Sequence, residues 1–131
     1  MEIPVELAQI IINEQADQQV VVLREINGER GFPIVIGMPE ILAIDRRIKG
    51  IVLPRPMTHD LLESLIDQMS ATIQKVVIDD LRDHTFYAKI SLVHGDNTVE
   101  VDSRPSDALA LCAGLDVPLF VEERVFEKLS M

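Results

Sequence analysis

Hydrophobic and polar residues alternate along the first third of the chain with the period of extended strands. In residues 2–13 apolar side chains occupy every second position before an apolar run, which predicts a first strand. Pro4 indicates that this strand begins at a sheet edge. Residues 20–23 predict the start of a second strand. Asn27-Gly28 is a strong hairpin signal, so a third strand at 32–36 is expected to pair back on the second.

The spacing of apolar positions then changes to three and four, which predicts two helices. The first opens at Pro39 and Glu40 and continues to about Lys49. A loop at 50–57 separates it from the second helix, for which Thr58 is a suitable N-cap. The second helix carries one apolar stripe, which consists of Leu61, Leu62, Leu65, Ile66 and Met69.

The remaining residues are predicted to form further strands and two more helices. In chain order these are a strand at 72–78, a strand at 85–92, a strand ending at 101, a helix from about Pro105 to Gly114, a strand at 117–121 and a helix at 122–129. Meanders of strands interrupted by helices predict a single α+β domain with a mixed, mostly antiparallel sheet and about four helices. The last strand lies between two helices and is expected to add a parallel pair.

The joint between strand and helix at residues 102–108 concentrates polar side chains. Asp102 or Ser103 can cap the helix, with Arg104 paired to a neighbouring carboxylate. One cap needs one acceptor, so capping leaves the other polar groups unexplained. The functional alternative is that Asp102 and Asp107 bind a divalent metal while Arg104 contacts a phosphate.

A strand that runs into a proline-containing helix start occurs twice, at residues 37–40 and at residues 103–106. The chain contains no stronger internal repeat, no linker and no low-complexity tract. The echo is weak, and chance alone also explains it.

Two other groups of polar residues suit chemistry as well as structure. Asp80 and Asp83 flank a predicted turn, where they favour either a capped hairpin or oxygen ligation of a cation such as Mg²⁺. His59 and Asp60 lie in the first turn of the second helix. They either cap that helix or, through His59, supply a general base, because imidazole changes its protonation near neutral pH.

The charge of the chain limits the classes of function. The net charge of −10 opposes simple nucleic-acid binding, which depends on Lys and Arg displacing counterions from phosphates. It leaves open a metal-dependent nuclease, whose carboxylates hold cations that contact the phosphate. Basic side chains are concentrated at Arg46, Arg47, Lys49 and Arg55. They form either a solvated face or a contact to phosphate.

Several features concern location and assembly. The chain shows no export signal and no apolar run of the roughly 18 residues that span a bilayer, so we expect a cytoplasmic protein with no membrane contact. Cys112, the single cysteine, lies among apolar residues and is expected to be buried rather than reactive. A high aliphatic content in a short chain favours a homodimer.

Nucleotide-binding glycine loops, serine-hydrolase elbows and paired-cysteine metal motifs are absent from the sequence.

Three segments of the chain together resemble one protein family. Residues 102–108 match the pattern D-x-R-P-S-D-A, residues 55–61 match R-P-x-T-H-D-L and residues 80–87 match D-L-x-D-x-T-F-Y. The three patterns resemble those of the bifunctional nuclease domain family of bacteria and plants, in which they occur in the same order along the chain as here. The resemblance covers nearly the whole chain. The family usually has glycine where His84 stands, so its turn geometry does not transfer directly.

The resemblance implies a nuclease that acts on RNA or DNA with the assistance of Mg²⁺ or Mn²⁺. The candidate metal ligands are Asp80, Asp83, Asp102 and Asp107. The candidates for catalysis are His59 as a base, Asp102, Arg104 and Asp107, and those for substrate binding are Arg55, Arg104 and Ser106. The alternatives are a non-enzymatic regulatory module that binds a small anion or a protein partner around Arg104, and a structural oligomerising unit.

Overall fold

The computed structural model describes all residues from Met1 to Met131 as seven strands and four helices. In chain order the elements are β1 (Glu2–Ile11), β2 (Gln19–Glu25), β3 (Gly31–Ile36), α1 (Met38–Ile48), α2 (Thr58–Gln68), β4 (Ala71–Arg82), β5 (Thr85–His94), β6 (Asn97–Ser103), α3 (Pro105–Cys112), β7 (Leu119–Glu122) and α4 (Glu123–Leu129). The number and order of the elements agree with the prediction. β4 extends beyond its predicted end because it pairs with β5 up to the turn.

The strands form one mixed sheet with the order β3-β2-β1-β7-β4-β5-β6. Neighbouring strands are antiparallel except β4 and β7, in which Val76 pairs in parallel with Leu119. This confirms a single α+β domain with a mixed, mostly antiparallel sheet, and it confirms the parallel pair expected from the last strand. None of the four helices combines the length and the apolar character needed to cross a membrane.

The sheet curls around α3. Phe32 on the edge strand β3 stacks on Phe86 of β5 with ring centroids 5.2 Å apart, although four strands separate them in the sheet. Phe126 of α4 meets the Phe32 ring edge-on, with a centroid distance of 5.5 Å. From Pro105 to Leu111 every side chain of α3 except Asp107 is buried. The nearly continuous apolar sequence of α3 is therefore that of a helix surrounded on most sides.

Pro4 lies in a central strand, so its predicted place at a sheet edge is wrong. β1 runs between β2 and β7, and Pro4 lies opposite Phe120 of β7. The ladder between β1 and β2 ends at the pair Val5–Glu25, one residue short of Pro4. The position of the amide hydrogen that proline lacks therefore lies beyond the end of that ladder. For this reason the central strand tolerates a proline here.

The apolar stripe of α2 is present as the sequence indicates, and it is largely exposed. No residue of α2 is fully buried, and Ile66 is the member of the stripe that packs against the core. Leu61 and Leu65 are each 50% exposed, and Met69 is 67% exposed. The helix rests on its neighbours through the side that carries Ile66 and turns most of the stripe away from them.

The N-cap of α2 is Met57 rather than the predicted Thr58. The carboxylate of Asp60, in the first turn, accepts a hydrogen bond from the Met57 amide at 3.0 Å. This hydrogen bond and the two arginines beside the carboxylate outweigh the effect of burial, so the pKa of Asp60 lies below its usual value.

The N-cap of α3 is Arg104, and no side chain caps this helix. Pro105 occupies the first turn as predicted. The prediction that Asp102 or Ser103 caps α3 is wrong, because the Ser103 hydroxyl donates to the Arg104 carbonyl and Asp102 pairs with Lys89.

Arg46 and Arg47 tie α1 to α2. Both pair with the Asp60 carboxylate, and Arg47 also pairs with Glu63 at 2.6 Å. The Arg47 guanidinium donates to the Leu111 carbonyl of α3 at 2.8 Å, and its side chain is only 7% exposed. These two arginines therefore form neither a solvated face nor an open phosphate contact.

Gly114 ends the α3 segment, as the sequence indicates. Its φ of +79° lies in the left-handed region, and a Cβ at this position would collide with the carbonyl of Arg47.

The nearby Cys112 is half-buried, and burial raises the pKa of its thiol to about 11. This agrees with an unreactive apolar role for Cys112.

Candidate active site

Four polar side chains meet where α1, α2 and α3 begin. Glu40 is the third residue of α1 and His59 is the second residue of α2. Arg104 is the N-cap of α3 and Asp107 is its third residue. The three helix starts are neighbours because α3 packs against both α1 and α2. We refer to Glu40, His59, Arg104 and Asp107 as the helix-start cluster.

Asp107 is the centre of this cluster. Its Oδ1 atom lies 3.1 Å from His59 Nε2. Its Oδ2 atom accepts a hydrogen bond from Arg104 Nε at 3.0 Å. Arg104 also reaches Glu40, with 3.4 Å between Nη2 and Oε1. One carboxylate thus orients both an imidazole and a guanidinium.

The electrostatics of the cluster fix the charge of its centre. Burial by itself raises the pKa of the Asp107 carboxyl, but the hydrogen bonds and charges of His59 and Arg104 outweigh burial and hold that pKa below its usual value. Asp107 in turn raises the pKa of Arg104. At neutral pH the centre is therefore a carboxylate beside a guanidinium cation. The free amides of three helix starts add positive potential at the same place.

The members of the cluster differ in their access to solvent. The Arg104 side chain is 69% exposed, whereas the His59 side chain is 12% exposed. Asp107 lies between these extremes at 35%. Arg104 can therefore meet a ligand first, with His59 deeper in the same site.

Two clefts meet at the helix-start cluster. The first has a volume of about 460 Å³, borders β3 and is lined by Glu40, Arg104 and Ser106. The second has a volume of about 420 Å³, lies between α1 and α2 and is lined by Glu40, His59 and Asp107. Since Glu40 lines both clefts, the cluster forms the wall between them. A ligand bound over Arg104 has room on both sides.

Glu40 belongs to the site although no predicted role falls on it. Its Oε2 atom is buried and has no hydrogen-bond partner, while Oε1 faces Arg104. A buried carboxylate oxygen without a partner is costly, and a catalytic role is one of the explanations for such a group in a folded protein. Glu40 and Asp107 each hold the third position of their helix, but the echo between residues 37–40 and 103–106 aligns Glu40 with Ser106, so no pattern in the sequence singled out Glu40.

Asp80, a predicted metal ligand, lies away from the cluster and joins β4 to α4. Its carboxylate accepts from Lys128 Nζ at 2.6 Å, from Arg82 Nε at 2.7 Å and from the Leu81 amide at 2.9 Å. The hydrogen bonds from Lys128 and Arg82 hold the pKa of Asp80 well below its usual range. Its acceptor sites already have cationic partners.

Asp83 and His84 form the two-residue turn between β4 and β5. Both have positive φ, 49° and 66°, as a tight hairpin of this kind requires. His84 therefore adopts the left-handed conformation at some steric cost. The structure places Asp83 in this turn and not in the helix-start cluster.

The remaining predicted site residues, Asp102, Ser106 and Arg55, occupy different environments. Asp102 is 74% exposed and pairs with Lys89 at 3.1 Å. Ser106 is buried in α3 and lines the first cleft. Arg55 lies exposed in the loop before α2 and lines neither cleft. Of the predicted residues, the structure brings together His59, Arg104, Ser106 and Asp107.

The metal expected from the resemblance has no ready-made ligand set in this chain. No three side chains of His, Cys, Asp or Glu converge as ligands of one ion, and the four candidate aspartates lie in separate places. Within the cluster, the guanidinium of Arg104 lies between the carboxylates of Asp107 and Glu40. Divalent-metal assistance therefore stays a prediction.

Comparison with known proteins extends over nearly all of the chain. The model of the bifunctional nuclease domain matches residues 21–131. An uncharacterised protein of Mycobacterium tuberculosis is 38% identical over 127 residues, which cover 97% of this chain and 76% of that protein. Bifunctional nuclease 1 of Oryza sativa subsp. japonica is 21% identical over 118 residues, which cover 87% of this chain and 36% of the rice protein. The chain belongs to the bifunctional nuclease domain family.

Proposed function

We propose that this protein cleaves phosphodiester bonds of RNA or DNA at the helix-start cluster. The observation that carries the proposal is the Asp107 carboxylate, which contacts His59 with one oxygen and Arg104 with the other. A proton acceptor and an anion-binding group are thus held by one side chain at the junction of two clefts. Membership of the family and the names of the rice relatives support a nuclease.

His59 has the geometry of a general base. When its Nε2 atom carries a hydrogen and donates it to Asp107, the other ring nitrogen is left unprotonated and able to accept a proton. The proton comes from the attacking hydroxyl, which is a water molecule or the 2′-hydroxyl of RNA. The Asp107 carboxylate fixes the orientation of the ring and stabilises the imidazolium that forms.

Arg104 has the geometry of a phosphate-binding group. Its guanidinium is largely exposed, and it is held in place from behind by Asp107 and Glu40. A planar guanidinium binds two oxygens of a phosphate together and stabilises the negative charge that develops during attack. The free amides at the starts of the three helices favour the same charge. Arg104 and these amides are the positive groups that would meet a phosphate on a chain with a net charge of −10.

The experiment is cleavage of single-stranded RNA and single-stranded DNA by highly purified wild-type protein and Asp107→Asn. Each reaction is run with Mg²⁺, with Mn²⁺ and with EDTA, so that the predicted metal requirement is measured as well. Asp45→Asn is the matched control, because Asp45 pairs with Lys49 on α1, outside the cluster. Circular dichroism confirms that each variant is folded.

Loss of at least about 100-fold in cleavage for Asp107→Asn, with activity retained in Asp45→Asn, would support the proposal. Equal cleavage by all three proteins would indicate a contaminating nuclease or another site. An additional Asp102→Asn variant tests the aspartate that the structure places apart. Absence of cleavage by the wild type, together with binding of inorganic phosphate that Arg104→Ala abolishes, would favour the non-enzymatic anion-binding module.

A further inference from the structure

An apolar row crosses the sheet from β4 to β6. Ile73 of β4 pairs with Leu92 of β5, and Leu92 pairs with Val99 of β6. Residues directly opposite each other on neighbouring strands point to the same face of the sheet. Ile73 and Leu92 pack against the hydrophobic core. Val99 therefore points to the face of the sheet that carries the core.

The β6 end of this row has no helix above it. α2 packs against α3 and β4, whereas β6 makes extensive contacts with β5 alone. Val99 and Val101, which lie on the same face of β6, are 46% and 41% exposed. This end of the sheet is an apolar floor that the chain itself does not cover.

The flank of α2 beside this floor is apolar. Its other flank turns toward α1, where Asp60 binds Arg46, and toward the loop before β7, where Asp67 lines a cleft with Leu115 and Val117. At 100° per residue, Leu61, Leu62, Leu65 and Met69 fall within an arc of about 100° that faces away from these contacts. The arc therefore points away from α1 and the loop before β7, on the side where its four side chains are 40% to 67% exposed.

This flank carries no charge. The acidic residues of α2 are Asp60, Glu63 and Asp67, and all three fall outside the apolar arc. The helix contains no Lys or Arg. The exposed flank and the floor together form a surface that we call the α2–β6 trough, which consists of Leu61, Leu62, Leu65, Met69, Val99 and Val101.

We propose that the α2–β6 trough is the interface of a homodimer, in which α2 of each copy packs into the trough of the other. A two-fold interface uses the same patch on both copies, so the patch must fit itself. Each copy offers both parts of such a contact, because α2 lies on the sheet with an exposed apolar flank and the β6 end of the sheet is left uncovered. The dimer interface goes beyond the proposed nuclease function and does not depend on it.

The area of the trough suits a stable dimer. Its six side chains are between 40% and 67% exposed. Together they present apolar surface on the order of 500 Å², at the upper end of what a monomer usually leaves uncovered. A stable interface buries about 800 Å² on each partner, about two thirds of it apolar in homodimers. The trough thus supplies the apolar centre of such an interface.

The charge of the molecule disfavours other occupants. An amphipathic helix that binds an anionic membrane carries Lys or Arg beside its apolar face, and α2 has neither. Nucleic acid would meet an uncharged apolar surface on a chain with a net charge of −10. A second copy meets no charged residue within the trough.

Sedimentation velocity of the full chain between about 1 and 100 µM tests the proposal. We expect the wild type to sediment with twice the monomer mass of 14.7 kDa. Leu65→Asp, on α2, and Val101→Asp, on the floor, are expected to weaken dimerisation at least 100-fold, because each places a charge at the apolar centre. Leu65→Ala is a milder variant that should weaken dimerisation without a charge.

The matched control is Val35→Asp on the edge strand β3, because Val35 is 55% exposed and lies outside the trough. This variant is expected to remain dimeric. A wild type that is monomeric at the highest concentration would overturn the proposal, whether or not another protein binds the trough. A dimer that both trough variants leave intact would overturn it equally. Neither result bears on cleavage, which is measured separately.

Discussion

His59 and Asp107 are 48 residues apart in the chain, yet His59 Nε2 lies 3.1 Å from Asp107 Oδ1. Each residue belongs to the first turn of its helix, and the packing of α2 on α3 brings the two turns together. The contact is therefore a product of tertiary structure. In the catalytic pair that we propose, each member works through the other.

This coupling predicts strongly non-additive kinetics. His59→Ala and Asp107→Asn are each expected to lower kcat/KM for an RNA oligonucleotide by about 100-fold. The double variant should lose little more than either single variant, since removal of one member already disables the other. Losses that multiply in the double variant would show that the two residues act independently and would contradict the pairing.

Glu40 is expected to position Arg104. Glu40→Gln keeps the size of the side chain but removes the charge that faces the guanidinium of Arg104. We expect kcat to fall about tenfold while KM changes less than about twofold, because the orientation of Arg104 matters most when charge develops on the phosphate. The free energy of unfolding should change by less than about 1 kcal/mol. Steady-state kinetics and urea denaturation measure the two effects.

The fold was largely accessible from the sequence because its strands and helices have clear periodic patterns. The alternation in β5 and the apolar run of α3 correspond to a strand paired on both sides and a helix buried on most sides. α2 is the exception, since its apolar stripe has the pattern of a core-facing helix but is mostly exposed in the structure. Periodicity shows that a helix face is apolar. It does not show whether the partner belongs to the same chain.

The site was accessible only in part for a related reason. The polar surplus around Arg104 and Asp107 is visible in the sequence, and His59 carries its own signal in the first turn of α2. Their contact depends on how three helices pack, which no local pattern encodes. Asp80 and Asp102 have the same local chemistry as Asp107, and the structure gives them Lys128 and Lys89 as partners.

The pKa of Asp107 predicts a pH dependence of stability. Because its folded-state pKa lies below the ordinary value of 3.8, the carboxylate stabilises the fold above that value, and this contribution is lost as the pH falls through the folded-state pKa. At pH 7 Asp107→Asn should be less stable than the wild type by roughly 1 kcal/mol, reduced by partial exposure. The difference should shrink below about pH 4.

Urea denaturation between about pH 3 and pH 7 measures this difference. The matched control is Asp96→Asn in the turn between β5 and β6, which removes a carboxylate that makes no ion pair. Its difference from the wild type should stay small across the range. A constant difference for Asp107→Asn at all pH values would argue against a stabilising charge at Asp107.

Arg47 is predicted to be the main tie between α1, α2 and α3. Arg47→Met keeps much of the apolar stem but leaves Asp60 with one arginine, Glu63 without its partner and the Leu111 carbonyl without its donor. We expect a loss of about 2 kcal/mol in the free energy of unfolding, because the Arg47 side chain is nearly buried and its partners Asp60 and Glu63 are partly buried. Arg24→Met on β2, which breaks no ion pair, should change stability by less than about 0.5 kcal/mol.

Alanine substitutions at Gly114 and Gly50 distinguish the cost of a left-handed backbone from the cost of a steric collision. Gly114 and Gly50 both have positive φ, +79° and +70°, but a Cβ at Gly50 meets open space whereas one at Gly114 collides with the Arg47 carbonyl. Gly50→Ala should therefore cost about 1 kcal/mol, the penalty of the left-handed conformation alone. Gly114→Ala should cost at least about twice as much, because α3 and the end of α1 must also move apart. Equal losses in urea denaturation would mean that this contact is loose, and they would weaken the assignment of Arg47 as the tie between these helices.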